Sequence, residues 1–457
     1  MIHLLLLGLL MLGPAGAAAT EPVTLQEVEA SVVTHPERIA AEAAVDAAAG
    51  SSLAAAGAFD PHLRGGAFAR PFGYYDQATA DVGVSWHSPL WGLSLDGGWR
   101  IGRGDFATYE GKAETLRGGE WYAGVSVPLL KGGFFDEARS DRLQAIQGER
   151  IAEAELSVAL LELRAEAAAA LWSWAAAGQA LRVAQDLLAL AEGRAAAVDK
   201  RIAEGAAAEI DALEIRRSLL SRRSKVAAAA AKERAAAAKL ALYLRDADGQ
   251  PVVPPRERLP TLPPVPEAAA LRDVESLWAV RPEAALWDAE LRRATLARRL
   301  AIAQLLPKLD VKVKVSADVA TQPDPPENLA LPVAEGGVSF DVPVAFRAGR
   351  GKLQAAEAKL RAVQAKSRWV RDKLEARARE LLASLEGARR QLRLAEEAAA
   401  VGDALAEAEW TRYQLGSADL LMVNLREQAA AAARQEVAWL RAEVLALEAQ
   451  WRALEGE

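Results

Sequence analysis

The sequence predicts an α+β membrane protein in which a transmembrane β-barrel is continued by a long α-helical coiled-coil barrel. Three observations predict this fold. Two proline-bounded regions alternate apolar and polar residues with the period of β-strands. Long stretches between them carry apolar residues at spacings of three and four. The same order of strands and helices occurs twice along the 457 residues, which indicates two tandem structural repeats.

Composition excludes several classes of protein. The 55 Lys and Arg are outnumbered by 62 Asp and Glu, and this mild acidity argues against a nucleic-acid-binding protein. The chain has no Cys, four His and three Met, so Cys nucleophiles, His-rich metal sites and Met clusters for soft copper are not expected. A P-loop, a nucleophile elbow, a zinc motif and paired catalytic carboxylates are all missing. We expect no enzymatic activity, no cofactor and no metal.

The first residues are predicted to be a secretory signal peptide. The apolar run from Leu4 to Leu12 is too short to cross a bilayer, and Ala17-Ala18-Ala19 fits a cleavage site. We therefore assign residues 1–19 to the signal peptide and expect the mature chain to begin near Thr20. An uncleaved membrane anchor is the alternative, because no basic residues precede the run. No later stretch of about 18 uncharged apolar residues predicts a transmembrane helix.

Prolines at matching places indicate an internal duplication. The triplet at Pro36 is echoed at Pro282, and the segment around Pro61 is echoed around Pro307. Repeat 1 is predicted to span residues 20–245, with strands within 61–129. Repeat 2 spans residues 267–457, with strands within 308–345. The proline-rich residues 246–266 are interpreted as a linker. Chance similarity of two alanine-rich stretches is the alternative.

The helices of each repeat are predicted to be long. Residues 136–203 and 352–414 contain no proline, and each corresponds to on the order of 100 Å of helix. After a glycine turn, a second helix returns over residues 206–243 and 418–454. The last helix carries a coiled-coil seam formed by Val437, Leu440, Val444, Leu447, Trp451 and Leu454. An ordinary soluble coiled coil would show the same pattern, so the helices alone do not decide the class.

The strands favour a membrane protein. Residues 309–315 and 338–344 alternate strictly, and so do residues 82–87, 93–101 and 121–127 of repeat 1. Aromatic residues concentrate in the same regions, as in transmembrane barrels. A soluble antiparallel sheet with one wet face is the alternative. Because a bilayer does not tolerate unpaired strand edges, the few strands of one chain must close with copies of the chain.

Four motifs carry a resemblance to a known family. VPLLKGG (residues 127–133) and VPVAFRAGR (residues 342–350) lie where a strand passes into a long helix. RIAEGAAAEIDALE (residues 201–214) and RYQLGSADLLMVNL (residues 412–425) lie at the helical turns, and FDP precedes the first strand. Taken in this order, the motifs make the whole mature chain similar to the TolC-like outer-membrane efflux protein family, in its non-lipidated branch.

The resemblance implies a homotrimeric channel in the cell outer membrane, surrounded by lipid, with its helical domain in the periplasm. It further implies an exit duct of a tripartite efflux or type I secretion system, in which a periplasmic membrane-fusion adaptor and an inner-membrane pump of RND, ABC or MFS type are the partners. The competing hypothesis is a trimeric, barrel-anchored coiled-coil adhesive surface protein. It is less favoured because strands occur in both repeats.

The periplasmic gate is predicted at the two helical turns. Gly205 and Gly416 permit the turns, and the residues proposed for the gate and tip are Gly205, Asp211, Glu214, Arg412, Tyr413, Gly416, Asp419, Leu420, Leu421, Met422 and Leu425. Asp211 and Glu214 form an acidic pair in repeat 1, whereas the matching positions of repeat 2 are Met422 and Leu425. The gate is therefore either ionic or closed by dewetting of apolar side chains, unless residues 420–422 are simply coiled-coil core.

The family implies four strands per chain and twelve in the barrel. Repeat 1, however, is long enough for an additional hairpin, formed by residues 82–87 and 93–101 with a turn at residues 88–90. If this hairpin enters the wall, a trimer has eighteen strands and a wider pore.

Overall fold

The computed structural model describes residues 21–107, 114–203, 209–265, 274–319 and 331–456. The predicted signal peptide, residues 1–19, lies outside this part of the chain. The chain forms two units. The helical unit contains the described residues of Met1–Ile39, Leu160–Arg272 and Arg377–Glu457. The sheet unit contains those of Ala40–Ala159 and Asp273–Ala376.

Eight α-helices occur in the described residues: α1 Leu25–Ser31, α2 Pro36–Ala56, α3 Glu137–Ala203, α4 Glu209–Leu240, α5 Val274–Val280, α6 Pro282–Ala303, α7 Arg347–Gln414 and α8 Leu420–Glu455. The two long helices, α3 with 67 residues and α7 with 68, are about 100 Å long each. Within the described residues, no helix is long and apolar enough to cross a membrane.

The echoed prolines have the same structural role in both halves. Pro36 begins α2 and Pro282 begins α6, where a fixed φ and a missing N–H suit the first turn of a helix. In each half the order is a short helix, a helix of about twenty residues, strands, a very long helix and a shorter return helix. This order is compatible with the predicted duplication, which itself stays a prediction.

The core of the helical unit is built on Trp174. Trp174, Leu171 and Leu240 are fully buried, and they form one cluster with Val23 and Val28 of the N-terminal segment. The Trp174 indole N–H also donates a hydrogen bond of 3.1 Å to Glu233. Four residues of the predicted seam of α8 are buried, namely Leu440, Val444, Trp451 and Leu454, whereas Val437 and Leu447 are half-buried.

The proline-rich segment 246–265 packs on the helical unit. The N–H of Val23 donates to the carbonyl of Arg258 over 2.9 Å, and the Arg258 guanidinium pairs with Glu27 at 2.6 Å. Arg256 pairs with Glu233 at 2.8 Å, so the carboxylate that receives the Trp174 hydrogen bond is held from a second side. The segment predicted as a linker is therefore anchored to the N-terminal segment and to the helices by specific contacts.

The sheet unit contains six antiparallel strands in the order in which they occur along the chain: β1 His62–Arg70, β2 Gln77–His87, β3 Ser94–Gly104, β4 Glu120–Pro128, β5 Lys308–Asp318 and β6 Val333–Asp341. The expectation of four strands per chain is wrong. The additional hairpin is β2–β3, paired from Gln77 opposite Gly104 to His87 opposite Ser94, and it lies between β1 and β4. Strands of both halves join in one sheet, since β4 pairs with β5.

Alanine substitutions of Leu240 and Leu242 test how much the core around Trp174 stabilises the fold. Leu240 is fully buried and Leu242 is 52% exposed, although they are two residues apart. We expect Leu240→Ala to lower the free energy of unfolding by about 2–5 kcal/mol because it leaves a cavity, and Leu242→Ala to cost less than about 1 kcal/mol. Denaturant unfolding of the purified protein in detergent measures both, and equal losses would contradict this account of the core.

Candidate functional site

The register of the sheet places nearly all large apolar side chains of the six strands on one face, with Phe68 of β1 and Val333 of β6 on the other. Directly opposite residues share a face, and Val84 of β2 lies opposite Leu63 of β1 and Gly97 of β3. The large apolar residues of this face are Leu63, Val82, Val84, Trp86, Leu95, Trp99, Ile101, Trp121, Val125, Val127, Leu309, Val311, Val313, Val315, Val338 and Phe340. Leu63 is 77% exposed and Phe340 79% exposed in the single chain. A contiguous exposed apolar surface of this extent marks contact with a membrane or a partner.

Arg103 is the one charged residue among the paired residues of this apolar face. It lies one residue before the end of β3. Its guanidinium donates to the carbonyls of Gly102, at 2.6 Å, and Leu116, at 3.2 Å. The charge is therefore turned back onto the backbone at the end of the strand, and the centre of the face stays apolar.

The opposite face of the sheet is polar and charged. Arg100 of β3 pairs with Glu120 of β4, and the ammonium of Lys314 on β5 lies 5.0 Å from the centre of the Tyr122 ring. The other charged residues in the ladders of this face are Arg64, Arg70, Asp81, Asp96, Lys308, Asp310, Lys312, Asp318, Glu335 and Asp341. Positive and negative side chains are interspersed, which suits a face in contact with water.

At one end of the helical unit, the turn between α7 and α8 is fixed by backbone geometry. Gly416 has a φ of 74°, the left-handed conformation that closes a helix C-terminus. The N–H of Ser417 donates to the carbonyl of Arg412 over 2.9 Å. Asp419 then begins α8, because its carboxylate accepts a hydrogen bond of 2.9 Å from the N–H of Met422.

A small apolar cluster joins the four helices beside this turn. Val198 of α3, Ile215 of α4 and Leu420 of α8 are buried together, and Tyr413 of α7 packs against them. We name Val198, Ile215, Leu420 and Tyr413 the tip cluster. Tyr413 also stacks on Trp410, with ring centres 5.5 Å apart. Leu420 and Tyr413 thus have a packing role, which agrees with the alternative that the apolar residues here are core.

Three charged residues proposed for the tip have local partners in the single chain. Asp419 is the N-cap of α8. Glu214 pairs with Arg217, one turn further along α4, at 2.6 Å. Arg412 lies 3.5 Å from Glu409 and 3.4 Å from the carbonyl of Ser417. These contacts stabilise the helix ends themselves, so a gate role for these three residues stays a prediction.

Three apolar residues of the predicted gate are on the surface of the chain. Leu421 is 54% exposed, Met422 39% and Leu425 58%, although all three lie within five residues of buried Leu420 on the same helix. Asp211 belongs to α4, and its side chain is not described. Gly205 lies outside the described residues. The structure therefore separates Leu420, which is core, from three neighbours whose side chains are available to a partner or to a pore.

A buried ionic network lies two helical turns beyond the tip cluster along α8, and none of the motifs in the sequence predicted it. Glu427 of α8 accepts a hydrogen bond of 2.8 Å from Arg222 of α4, and its other oxygen contacts Arg194 of α3. The side chains of Arg222 and Glu427 are 0% and 3% exposed. Arg222 also donates to Asn424 over 3.0 Å and to the carbonyl of Leu187 over 2.7 Å. We call Arg194, Arg222, Asn424 and Glu427 the tip network.

Two guanidinium groups share one carboxylate in the tip network, so other groups must offset the excess positive charge. The Leu187 carbonyl and the Asn424 side-chain oxygen do this for Arg222. For Arg194, the guanidinium lies over the face of the Trp410 ring, 3.8 Å from its centre. Burial and the neighbouring Arg222 lower the pKa of Arg194 to about 10, and the group is still charged at neutral pH.

The heptad pattern of α8 indicates that buried polar residues occur at this level. Leu420, Asn424, Glu427 and Ala431 follow one another at spacings of four, three and four, and all four are buried. A seam with two polar members indicates that buried polar partners face it. The sequence does not say which arginines these are, because α3 and α4 carry many. Among the described residues, no group of His, Asp and Glu is arranged to hold a metal ion.

Comparison with known proteins shows which family the chain resembles. Residues 74–244 match the model of the outer membrane efflux protein family. No curated protein sequence matches the chain. The resemblance to the TolC-like outer-membrane efflux proteins is confirmed, and this is a family of channels rather than enzymes. The family match supports a role as an efflux channel of the outer membrane.

Solved structures share the fold over nearly the whole chain. The open state of the MtrE outer membrane channel of Neisseria gonorrhoeae is 15% identical with a TM-score of 0.69, covering 97% of this chain and 93% of that one. The outer membrane protein VceC of Vibrio cholerae is 16% identical with a TM-score of 0.67, covering 94% and 96%. The CmeC outer membrane channel of Campylobacter jejuni is 12% identical with a TM-score of 0.65, covering 94% and 85%. At these identities the likeness establishes the fold.

Truncation of Glu427 tests the tip network. We expect Glu427→Ala to lower the free energy of unfolding by about 3–5 kcal/mol, because two buried guanidinium groups lose their counter-charge. Glu436→Ala is the matched control, since Glu436 is exposed on the same helix and its loss should cost less than about 0.5 kcal/mol. Denaturant unfolding followed by circular dichroism measures both, and a small effect at Glu427 would show that the network does not stabilise the helices.

Proposed function

We propose that this chain is the outer-membrane exit duct of a tripartite efflux or type I secretion system. The observation that carries the proposal is the sheet, with one continuous apolar face and one charged face across six strands. The apolar face suits the lipid of the outer membrane, and the charged face suits a water-filled lumen. A duct needs a wet path and no catalytic group, in agreement with a family of channels.

The barrel in this proposal is formed by three copies of the chain. Strands of 9 to 11 residues are long enough to cross the hydrocarbon core when tilted. Six strands do not make a closed wall of useful width, and every backbone polar group in the bilayer must be paired. Three copies give eighteen strands and remove all edges. Cargo delivered by the inner-membrane pump then passes passively through the lumen.

The helical unit continues the duct into the periplasm. Helices α3 and α7 are long, and α3 presents alanines on its buried side, including Ala167, Ala168, Ala170, Ala175, Ala176 and Ala177. Small residues let helices pack closely into a curved wall. We place a periplasmic membrane-fusion adaptor and an inner-membrane pump of RND, ABC or MFS type at the tip, where the exposed Leu421, Met422 and Leu425 are available to close the pore.

The adhesive surface protein is less well supported. Such a protein has one terminal barrel-forming segment attached to a stalk. Here β4 of the first half pairs directly with β5 of the second half, with helices α3 to α6 between them in the chain. The arrangement uses both halves to build one wall, as a duct requires.

Oligomeric state and barrel width test the proposed duct together. We expect a homotrimer in detergent by native mass spectrometry, and an eighteen-stranded barrel about 38 Å across between opposite strand axes. Both widths assume strands tilted by about 43°. A barrel of twelve strands with that tilt would be about 25 Å across, and cryo-electron microscopy resolves the difference. A monomer that forms no pores in planar bilayers would overturn the proposed function.

The apolar gate is tested by conductance. If Leu421 and its neighbours exclude water from the resting pore, Leu421→Ser should raise the idle conductance in planar bilayers, because a polar ring admits water and ions. If a charge pair at Asp211 holds the gate, Asp211→Ala should raise it instead. Leu394→Ser is the control, since Leu394 is 57% exposed on α7, away from the turn. Trimeric variants with unchanged conductance, singly and combined, would place the gate elsewhere.

A further inference from the structure

The two end strands of the sheet offer backbone edges to a partner. Among the strands that the structure describes, β1 and β6 lie at the two ends of the order. Every residue of β6 and all but the last of β1 are exposed. An edge strand with this exposure is a template for pairing with another chain, and within a bilayer it must be paired.

Strand direction allows the partner to be a second copy of the same chain. The six strands alternate in direction, so β6 runs opposite to β1. The β6 strand of one copy can therefore extend the antiparallel order onto the β1 strand of the next copy. Such a head-to-tail contact repeats around a ring until the ring closes.

The charges of the two edges are complementary. The polar face of β1 carries His62, Arg64 and Arg70, whereas the polar face of β6 carries Glu335 and Asp341. Arg64 and Arg70 are six residues apart, and so are Glu335 and Asp341. In antiparallel pairing, a single register brings both pairs directly opposite: Arg64 to Asp341 and Arg70 to Glu335 of the neighbouring copy. Opposite charges directly across a ladder stabilise it.

The same register fits the apolar face. It places Gly65 opposite Phe340 and Ala67 opposite Val338, so a small residue of β1 meets a large one of β6 at these two positions. A cross-strand aromatic ring covers a glycine that has no side chain of its own. The third pair, Ala69 and Gly336, is small on both strands. The edges thus complement each other in size at two of the three apolar-face positions and in charge on the other face.

The tilt of the strands provides an independent check. The row of paired residues from Arg64 runs through Gly83, Gly98, Tyr122 and Ser316 to Val333. In the register above, Val333 lies opposite Phe72 of the next copy, eight residues beyond Arg64. With a rise of about 3.3 Å per residue and a strand spacing of about 4.8 Å, this shift gives a tilt of about 43°. Closed barrels have tilts of about 35–45°.

We propose that neighbouring copies join through β6 and β1 in this register, with ion pairs Arg64–Asp341 and Arg70–Glu335 between copies. The inference rests on the proposed function, because it assumes that the sheet closes with copies of the chain. It adds the residues that specify the contact. A slip of two residues separates both ion pairs. It changes the tilt to about 49° in one direction, outside the range for closed barrels, and to about 35° in the other, at the lower limit of that range.

Cysteine cross-linking tests the register directly, since the chain has no cysteine of its own. Phe68→Cys with Gly337→Cys and Ala67→Cys with Val338→Cys are directly opposite in the proposed register. The two pairs differ by one residue, so one of them is of the closely spaced, non-hydrogen-bonded type. A Cβ at Gly337 meets no atom within 4 Å, so this cysteine is accommodated. We expect at least one pair to give covalent trimers on denaturing gels.

The slipped pairs are the matched controls. Phe68→Cys with Ser339→Cys or with Glu335→Cys, and Ala67→Cys with Phe340→Cys or with Gly336→Cys, are displaced by two residues in either direction. Diagonal neighbours are about 7–8 Å apart, beyond the reach of a disulfide, so their yield should be several-fold lower. Covalent trimers from a slipped pair with none from the opposite pairs would overturn the register while leaving the trimer intact. Failure of the native protein to form oligomers would instead contradict the proposed function.

Neutral substitutions test the ion pairs without disulfides. Within the chain Glu335 lies opposite Lys314, so a reversed charge there would also disturb the sheet itself, and a double-mutant cycle isolates the contact between copies. Arg70→Gln and Glu335→Gln should each lower the temperature at which the trimer dissociates, and the double variant should lower it by clearly less than the sum of the two. Arg70→Gln with Asp341→Asn is the control, since these positions are not opposite and their effects should add. Additive effects at Arg70 and Glu335 would show that the proposed pair does not form.

Discussion

Hydrogen bonding between antiparallel strands pairs residues of the same face, and here it does so through five successive ladders without a bulge in the paired segments. Val84, Gly97 and Ala123 therefore lie in one row, as do Gly83, Gly98 and Tyr122 in the adjacent one. A slip of one residue in any ladder would carry Val, Trp and Leu side chains to the charged face. The division into an apolar and a charged face depends on this register.

In the helical unit, the constraint is the alignment of long helices along their axes, because such helices can pack at several relative heights. Alanines allow close approach but specify little, because one alanine fits much like the next. Bulky and polar residues provide the alignment at a few levels. Trp174 and Leu240 fix one level. The tip network fixes another, where Glu427 requires Arg194 and Arg222 at one height on α3 and α4. A buried charge makes other alignments costly, since it would lose its partners.

At the helical turn, the sequence predicted the elements but not the role of each residue. It predicted the glycine turn at Gly416 and the return of α8. It did not predict which of residues 419–422 cap the helix, which are buried and which are exposed. Asp419 is equally compatible with an acidic ring and with a helix cap, and the hydrogen bond to Met422 places its carboxylate on its own helix. Leu420 and Leu421 are identical in chemistry, yet one is 5% exposed and the other 54% exposed, because α8 turns by about 100° per residue.

The sequence alone determined many of the elements and their faces: the period of two in β2 to β5, the proline that begins α2 and α6, and the buried seam near Trp451. It did not delimit β1, and it placed the last strand at residues 338–344, whereas β6 is Val333–Asp341. These features depend on neighbours along the chain. Only the tertiary structure decided that β2 and β3 enter the sheet between β1 and β4, and that Arg194 and Arg222, among many arginines, surround Glu427. Both outcomes depend on pairing between residues far apart in sequence. Alternation states which face a residue occupies but never which strand or helix lies opposite.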